Sequence, residues 1–188
     1  MLVVGPYRAM PSGSTTRLQA GKGRTSCRSR CPAGRFQRGI QIQRTRSAID
    51  GADRALRFYR DVFGARIADS VEIEGAVVHA ELDFGHGRLQ IGEPSALSGL
   101  VATPSDKPVC YSIGLYCPNV DAVTERATAA GATLLEPPTT FVSGDRLASI
   151  RDPFGVRWAV MTRVEDLSGE ESAARVAAWA KEQAGGEK

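Results

Sequence analysis

Histidine is scarce in this 188-residue chain: there are two, His79 and His86, beside four cysteines. A centre built mainly from imidazoles or thiolates needs three or four such side chains together, so that class of metal site is not expected. Cys27 and Cys31 lack the second pair that a zinc site would require. Cys110 and Cys117 stand at opposite ends of one expected strand, about 23 Å apart at strand rise, too far to bridge. A reduced, cytoplasmic setting is the simplest account. No run of eighteen apolar residues occurs, so no membrane helix is expected. Acidic residues are missing from one region. Residues 1–46 hold ten of the 24 Lys and Arg and none of the 21 Asp and Glu, so the remainder carries −7 although the whole chain stands at +3.

Residues 1–39 are rich in Arg, Ser and Gly and show no hydrophobic periodicity, which predicts a disordered basic leader. Such composition also suits an organelle transit peptide, or a basic arm that neutralises phosphates. The plainer readings are an unstructured extension or a start-site or frame error upstream. A nucleic-acid partner is not expected from the leader alone.

From residue 40 the pattern becomes regular. In "DRALRFYRDVFGA", Ala55, Leu56, Tyr59, Val62 and Phe63 share one helical face that stops at Gly64. In "NVDAVTERATAAGA", Asn119 is the N-cap, Val120, Val123, Ala127 and Ala130 point inward, and Gly131 is the stop. Strands are expected over 41–49, 65–72, 76–83 and 87–92, then again over 110–117, 132–136, 145–151 and 156–162. Each half therefore reads β-α-β-β-β, with modules at 40–93 and 110–164 joined by a linker at 94–109. The halves also repeat residue types, Asp83 matching Asp152, Arg88 matching Arg157, Leu89 matching Trp158 and Ile91 matching Val160. Residues 165–188 begin a C-terminal helix with Ser168 and Glu171 at capping-box spacing and a narrow stripe through Val176, Ala177 and Trp179.

Paired modules with "FYRDVFGA" on the first helix and "GDRLASIRDPFGVRW" near the end resemble the vicinal oxygen chelate superfamily of glyoxalases, bleomycin-resistance proteins and extradiol dioxygenases. Within it, "HAEL", "GDR", "DPFG" followed by Trp, and "VEDLS" are similar to the subgroup named after the phosphonate operon. The resemblance covers residues 41–168. It implies an α+β fold of two fused βαβββ modules, whose sheets curl into cups around a metal held from the first and fourth strands of both. Carried over by register, the ligand positions fall on Arg44, with Gln43 or Thr45 one residue away, and on Gln90, Ser112 and Ala159. Alanine has no donor, serine is a poor one and arginine brings a fixed positive charge beside a cation. Ser143 and Val156 also depart from the subgroup, which commonly has an aromatic and a His there. No metal or cofactor is therefore expected.

Four further candidates carry alternatives. His79 and Glu81 could form an acid-base pair at two-residue spacing, or sit on the solvent face of a sheet. His86 reads as a solvated turn residue. Tyr116 could stack on a flat ligand or belong to the core. Arg146 could clamp an anion at a pocket mouth or make an exposed ion pair with a neighbour. The expectation is a small organic ligand enclosed by Gln90, Ser112, Tyr116, Arg146, Ala159 and His79, in a homodimer with no catalytic residue. The alternative is a metal-dependent lyase, isomerase or dioxygenase whose ligands lie elsewhere.

Overall fold

The computed structural model describes residues 45–105 and 107–185. The leader and Arg44, together with the start of the first expected strand, lie outside the described residues. The elements run β1 (Thr45–Ala48), α1 (Ala52–Phe63), β2 (Arg66–Ile73), β3 (Ala76–Asp83), β4 (Arg88–Gly92), β5 (Ile113–Tyr116), α2 (Val120–Ala129), β6 (Thr133–Thr140), β7 (Asp145–Arg151), β8 (Arg157–Arg163) and α3 (Gly169–Gly185). A single 3-10 turn, Ala96–Ser98, interrupts the linker. The strands form two four-stranded sheets ordered β1-β4-β3-β2 and β5-β8-β7-β6. In each, the first strand pairs parallel with the fourth while the other neighbours are antiparallel. This is the expected α+β duplication.

Both helices end by the same device. Gly64 and Gly131 have φ of 72° and 96°, a left-handed turn that glycine adopts without strain. The next amide then reaches back, Ala65 to the Tyr59 carbonyl at 3.2 Å and Ala132 to the Ala127 carbonyl at 2.9 Å. The starts are matched as well. The Glu93 carboxylate accepts from the amides of Gly51 and Ala52 at 3.2 and 2.8 Å, and Thr162 Oγ accepts from Val120 at 2.7 Å. Glu93 follows Gln90 by three residues as Thr162 follows Ala159, so equivalent places in the two modules cap the helix of their own module. Asn119 adds its side chain to the second start, accepting from the Ala122 amide at 3.0 Å.

Four differences from expectation have local causes. β5 is shorter than 110–117 because its pairing with β8 starts at Ile113 opposite Trp158, one residue into β8, and runs to Tyr116 opposite Met161. β6 runs on to Thr140 through Pro137 and Pro138, which an edge strand accommodates with two register shifts. Ala130 is exposed, since α2 has already ended, and Thr124 is buried instead. Phe58 is buried too, because α1 packs on the second module as well as on its own sheet.

The modules are joined by aromatic rings gathered around one carboxylate. Phe58, Tyr59 and Phe63 of α1, Phe84 of the first sheet and Phe154 and Trp158 of the second form a continuous cluster, with Phe63 and Trp158 centroids 4.6 Å apart. Asp152, 3% exposed, lies beside it. Its Oδ1 accepts from the Phe154 and Val156 amides at 2.9 Å, and its Oδ2 from Tyr59 Oη at 2.7 Å and Trp158 Nε1 at 2.9 Å. Tyr59 comes from the first module and the rest from the second. Burial lifts the Asp152 carboxyl above the usual carboxylate range, against the pull of those donors.

Asp152→Ala should therefore lower the unfolding free energy by about 3–5 kcal/mol, because buried donors lose a charged acceptor. Tyr59→Phe should cost about 1.5–3 kcal/mol. A loss below about 1 kcal/mol for Asp152→Ala in denaturant melts would contradict the arrangement. The sign of the pH dependence also follows. A folded value above the unfolded value near 3.9 means the native state keeps a proton that the unfolded chain has released, so this contribution falls as pH rises through that window. The wild type's advantage over Asp152→Asn should shrink as pH rises from about 4.

Candidate functional site

Each sheet has one face on its helix and one turned away. In the second sheet Trp158, Val160, Ala148 and Ile150 face α2 and α1 and are buried. The alternate residues form cross-strand rows on the open face. Arg157 lies opposite Arg151; Gly114, Ala159, Ser149 and Glu136 run in line; Tyr116, Met161, Leu147 and Thr139 follow; Arg163 and Asp145 close the series. The middle row is small from Gly114 to Ser149. A cavity of about 340 Å³ opens over its Ala159 and Ser149 part, lined also by Tyr111, Ser112, Glu136, Leu147 and Arg157, with Val109 and Cys110 among its walls.

Arg157 arches over this floor. Its Nε donates to Ser149 Oγ at 3.0 Å and a terminal nitrogen to Glu136 Oε1 at 2.9 Å. Tyr111 and Ser112 line the same space, and Leu147 gives it an apolar wall. The arrangement offers a fixed cation, several neutral donors and an oily side, as small-molecule pockets do.

The first sheet carries the equivalent rows with different contents. Arg46, Gln90, Glu81 and Asp69 stand where the second has Gly114, Ala159, Ser149 and Glu136. Long charged chains replace small ones. Glu81 is buried and paired with Arg88, so it is not a lone base beside His79. His79 lies on that face opposite Val71, half-buried.

Of the six expected binding residues, Ser112 and Ala159 line the cavity. Gln90 and His79 lie on the other sheet. Arg146 has to be corrected: alternation along β7 turns it to the helix side, where it grips Asp121 of α2 through two bonds of 2.8 and 2.6 Å, away from the cup. Tyr116 is tied by its hydroxyl to Asp145 at 3.2 Å, with Arg163 over its ring, and borders a second cavity at the seam between the modules. The exact match of Asp83 to Asp152 also slips by one, since Arg151 is the residue opposite Arg157 as Asp83 is opposite Arg88. Ser149 and Glu136 were missed, although alternation along "DRLASIR" already places Ser149 on the face of Asp145.

The donor set does not suit a metal. Gln90 offers an amide, Ser112 a neutral hydroxyl and Ala159 nothing, and Gly114, paired with Ala159, also lacks a side chain. Among the described residues no three His, Cys, Asp or Glu side chains come together in a way that could hold an ion.

Two sheets of this order, a module seam and an open-faced cup define a class that the comparisons identify. The Glyoxalase/Bleomycin resistance protein/Dioxygenase superfamily profile matches residues 41–160. The chain belongs to that superfamily. It is 30% identical over 134 residues to uncharacterized proteins of Mycobacterium bovis and Mycobacterium tuberculosis, covering 65% of this chain and 84% and 75% of theirs. Among solved structures, TioX from Micromonospora sp. ML1 is 27% identical with a TM-score of 0.51, covering 66% of this chain and 99% of that one. A glyoxalase/bleomycin resistance protein/dioxygenase family enzyme from Burkholderia phytofirmans shares the fold at 20% identity and a TM-score of 0.55, covering 64% and 97%.

The placement of Arg146 is open to a direct check. Its guanidinium, bonded to Asp121, holds that carboxyl below the usual range. In Arg146→Gln the Asp121 side chain, followed by NMR, should titrate closer to about 3.9, and Cys110 in the cup wall should keep its alkylation rate. A changed Cys110 rate with an unmoved Asp121 would put Arg146 at the cup.

Proposed function

We propose that this chain is a small-molecule-binding protein that works without a catalytic metal and holds an organic ligand in the cup of the second module. The observation that carries this reading is the pair Ala159 and Ser149 in the floor of a 340 Å³ cavity: the position where the resemblance expects a ligand atom has no donor, and space stands in its place. Sequestration needs a shaped pocket and no chemistry. The polar groups around this floor orient a ligand, and none is arranged as nucleophile and base.

Within the superfamily, "GDR", "DPFG" and the following Trp158 support membership of the phosphonate-operon-type subgroup. A cytoplasmic location accords with the free thiols Cys110 and Cys117. Among the described residues no helix is long and apolar enough to cross a membrane. A homodimer accords with the eight-residue edge strands β2 and β6, on which Ile67, Val71, Ile73, Leu134 and Leu135 are exposed. Trp179 gives it less support, since its ring lies against Phe141 of the same chain at 5.0 Å.

Native mass spectrometry of the purified protein should find a small organic molecule released on denaturation. Ala159→Leu, which fills the floor, should remove it while costing under about 1.5 kcal/mol of stability. Retention of the molecule by Ala159→Leu would reject the cup as its site. Sedimentation at tens of micromolar should give twice the chain mass, and a monomer would reject the dimer.

A further inference from the structure

The second cavity has a different origin from the cup and nothing in the reading above uses it. β1 and β5 are the inner edges of the two sheets, yet they belong to separate sheets. The edges approach at one end, where Ser47 Oγ and Tyr111 Oη are 3.4 Å apart. At the other end they leave a slot of about 330 Å³. Its walls include the rings of Phe84 and Trp158 and the aliphatic side of Leu115, so its interior is aromatic and apolar. Its mouth carries His86 and Arg88 from the β3–β4 hairpin, with the phenol of Tyr116 on the opposite side.

We propose that this slot is a second binding site, for a planar aromatic molecule bearing an acidic group. Three features select that class. The slot lies between two strand edges, a shape that admits a flat body more readily than a branched one. The half-buried ring of Phe84 offers a contact to another ring, backed by the Trp158 indole that the core encloses. The slot's lining holds Arg88 and no carboxylate, and the Arg88 side chain stays partly exposed beside its Glu81 partner, with guanidinium N–H groups to spare. An acidic substituent beside Arg88 would meet that guanidinium and a ring would lie inside. The sequence hid this role because nearly half of the slot's lining, Ile113 to Tyr116 and Trp158, comes from the other module.

The probe is 1-anilinonaphthalene-8-sulfonate, titrated into the full chain by fluorescence and calorimetry. One site per chain is expected, and 2-naphthalenesulfonate should displace it at least about tenfold better than hexanesulfonate. Thr45→Trp, at an exposed edge position where the fold tolerates bulk, should weaken binding about tenfold by closing the slot, and His86→Ala by about threefold. Ala159→Leu should leave it unchanged, which separates this site from the cup. Loss of binding in Ala159→Leu with none in Thr45→Trp would overturn the proposal and place the probe in the cup. Indifference to all three variants, or equal displacement by the aliphatic sulfonate, would overturn it as general hydrophobic adsorption.

Discussion

A buried carboxylate that bonds across the module boundary decides how this molecule is assembled. Asp152 sits in the β7–β8 hairpin, accepts two amides of its own turn, and takes the Trp158 indole and the Tyr59 hydroxyl. The local bonds shape the turn that starts β8 at Arg157, and the long bond from Tyr59 holds α1 against the second module. Burying such a group is costly unless its lone pairs are filled, so the network tolerates few alternative arrangements. The linker presses on the same turn: a side chain at Gly155, where φ is 88°, would come within 2.7 Å of the Thr103 carbonyl.

Once that turn is set, strand alternation does the rest. With Trp158 and Val160 committed to the core, Arg157, Ala159 and Met161 must face away, and pairing brings Ser149 and Gly114 to either side of Ala159. The same register in the first module yields Arg46, Gln90 and Glu81. The halves have therefore kept their backbone and their capping positions, Glu93 and Thr162, while their open faces diverged. One face carries the long side chains of Arg46, Gln90 and Glu81 where the other has the small Gly114, Ala159 and Ser149. A duplicated scaffold with unlike faces is one in which binding can reside in a single module.

Much of the fold could be read from the chain, because its signals are local. Gly64 and Gly131 end helices, Asn119 begins one, and the apolar faces of both helices follow the 3.6 period. Ser168 and Glu171 form the capping box that their spacing implies. The site was less legible, since it depends on which residues stand opposite one another. Ser112 follows from the helix stop at Gly131 and Ala159 from the "DPFG" turn, whereas of the two readings of Arg146 the ion pair is the one formed, with a partner, Asp121, on a helix that precedes it by a strand. The Tyr116 hydroxyl donates to Asp145, a bond that no local pattern announces. Glu93, which caps α1 from the far side of the sheet, is invisible to any rule that looks for a cap beside the helix.

The account turns on the proposal that the positions where the resemblance expects metal ligands hold no metal in this chain. Gln90, Ser112 and Ala159 present an amide, a hydroxyl and a methyl group, and a divalent ion needs more than these. The most direct measurement is metal stoichiometry of the full chain after incubation with zinc, nickel or manganese and dialysis against a weak chelator. The account predicts retention below about 0.1 ion per chain for each metal. Retention near one ion per chain would contradict it and mean that other side chains supply the ligands.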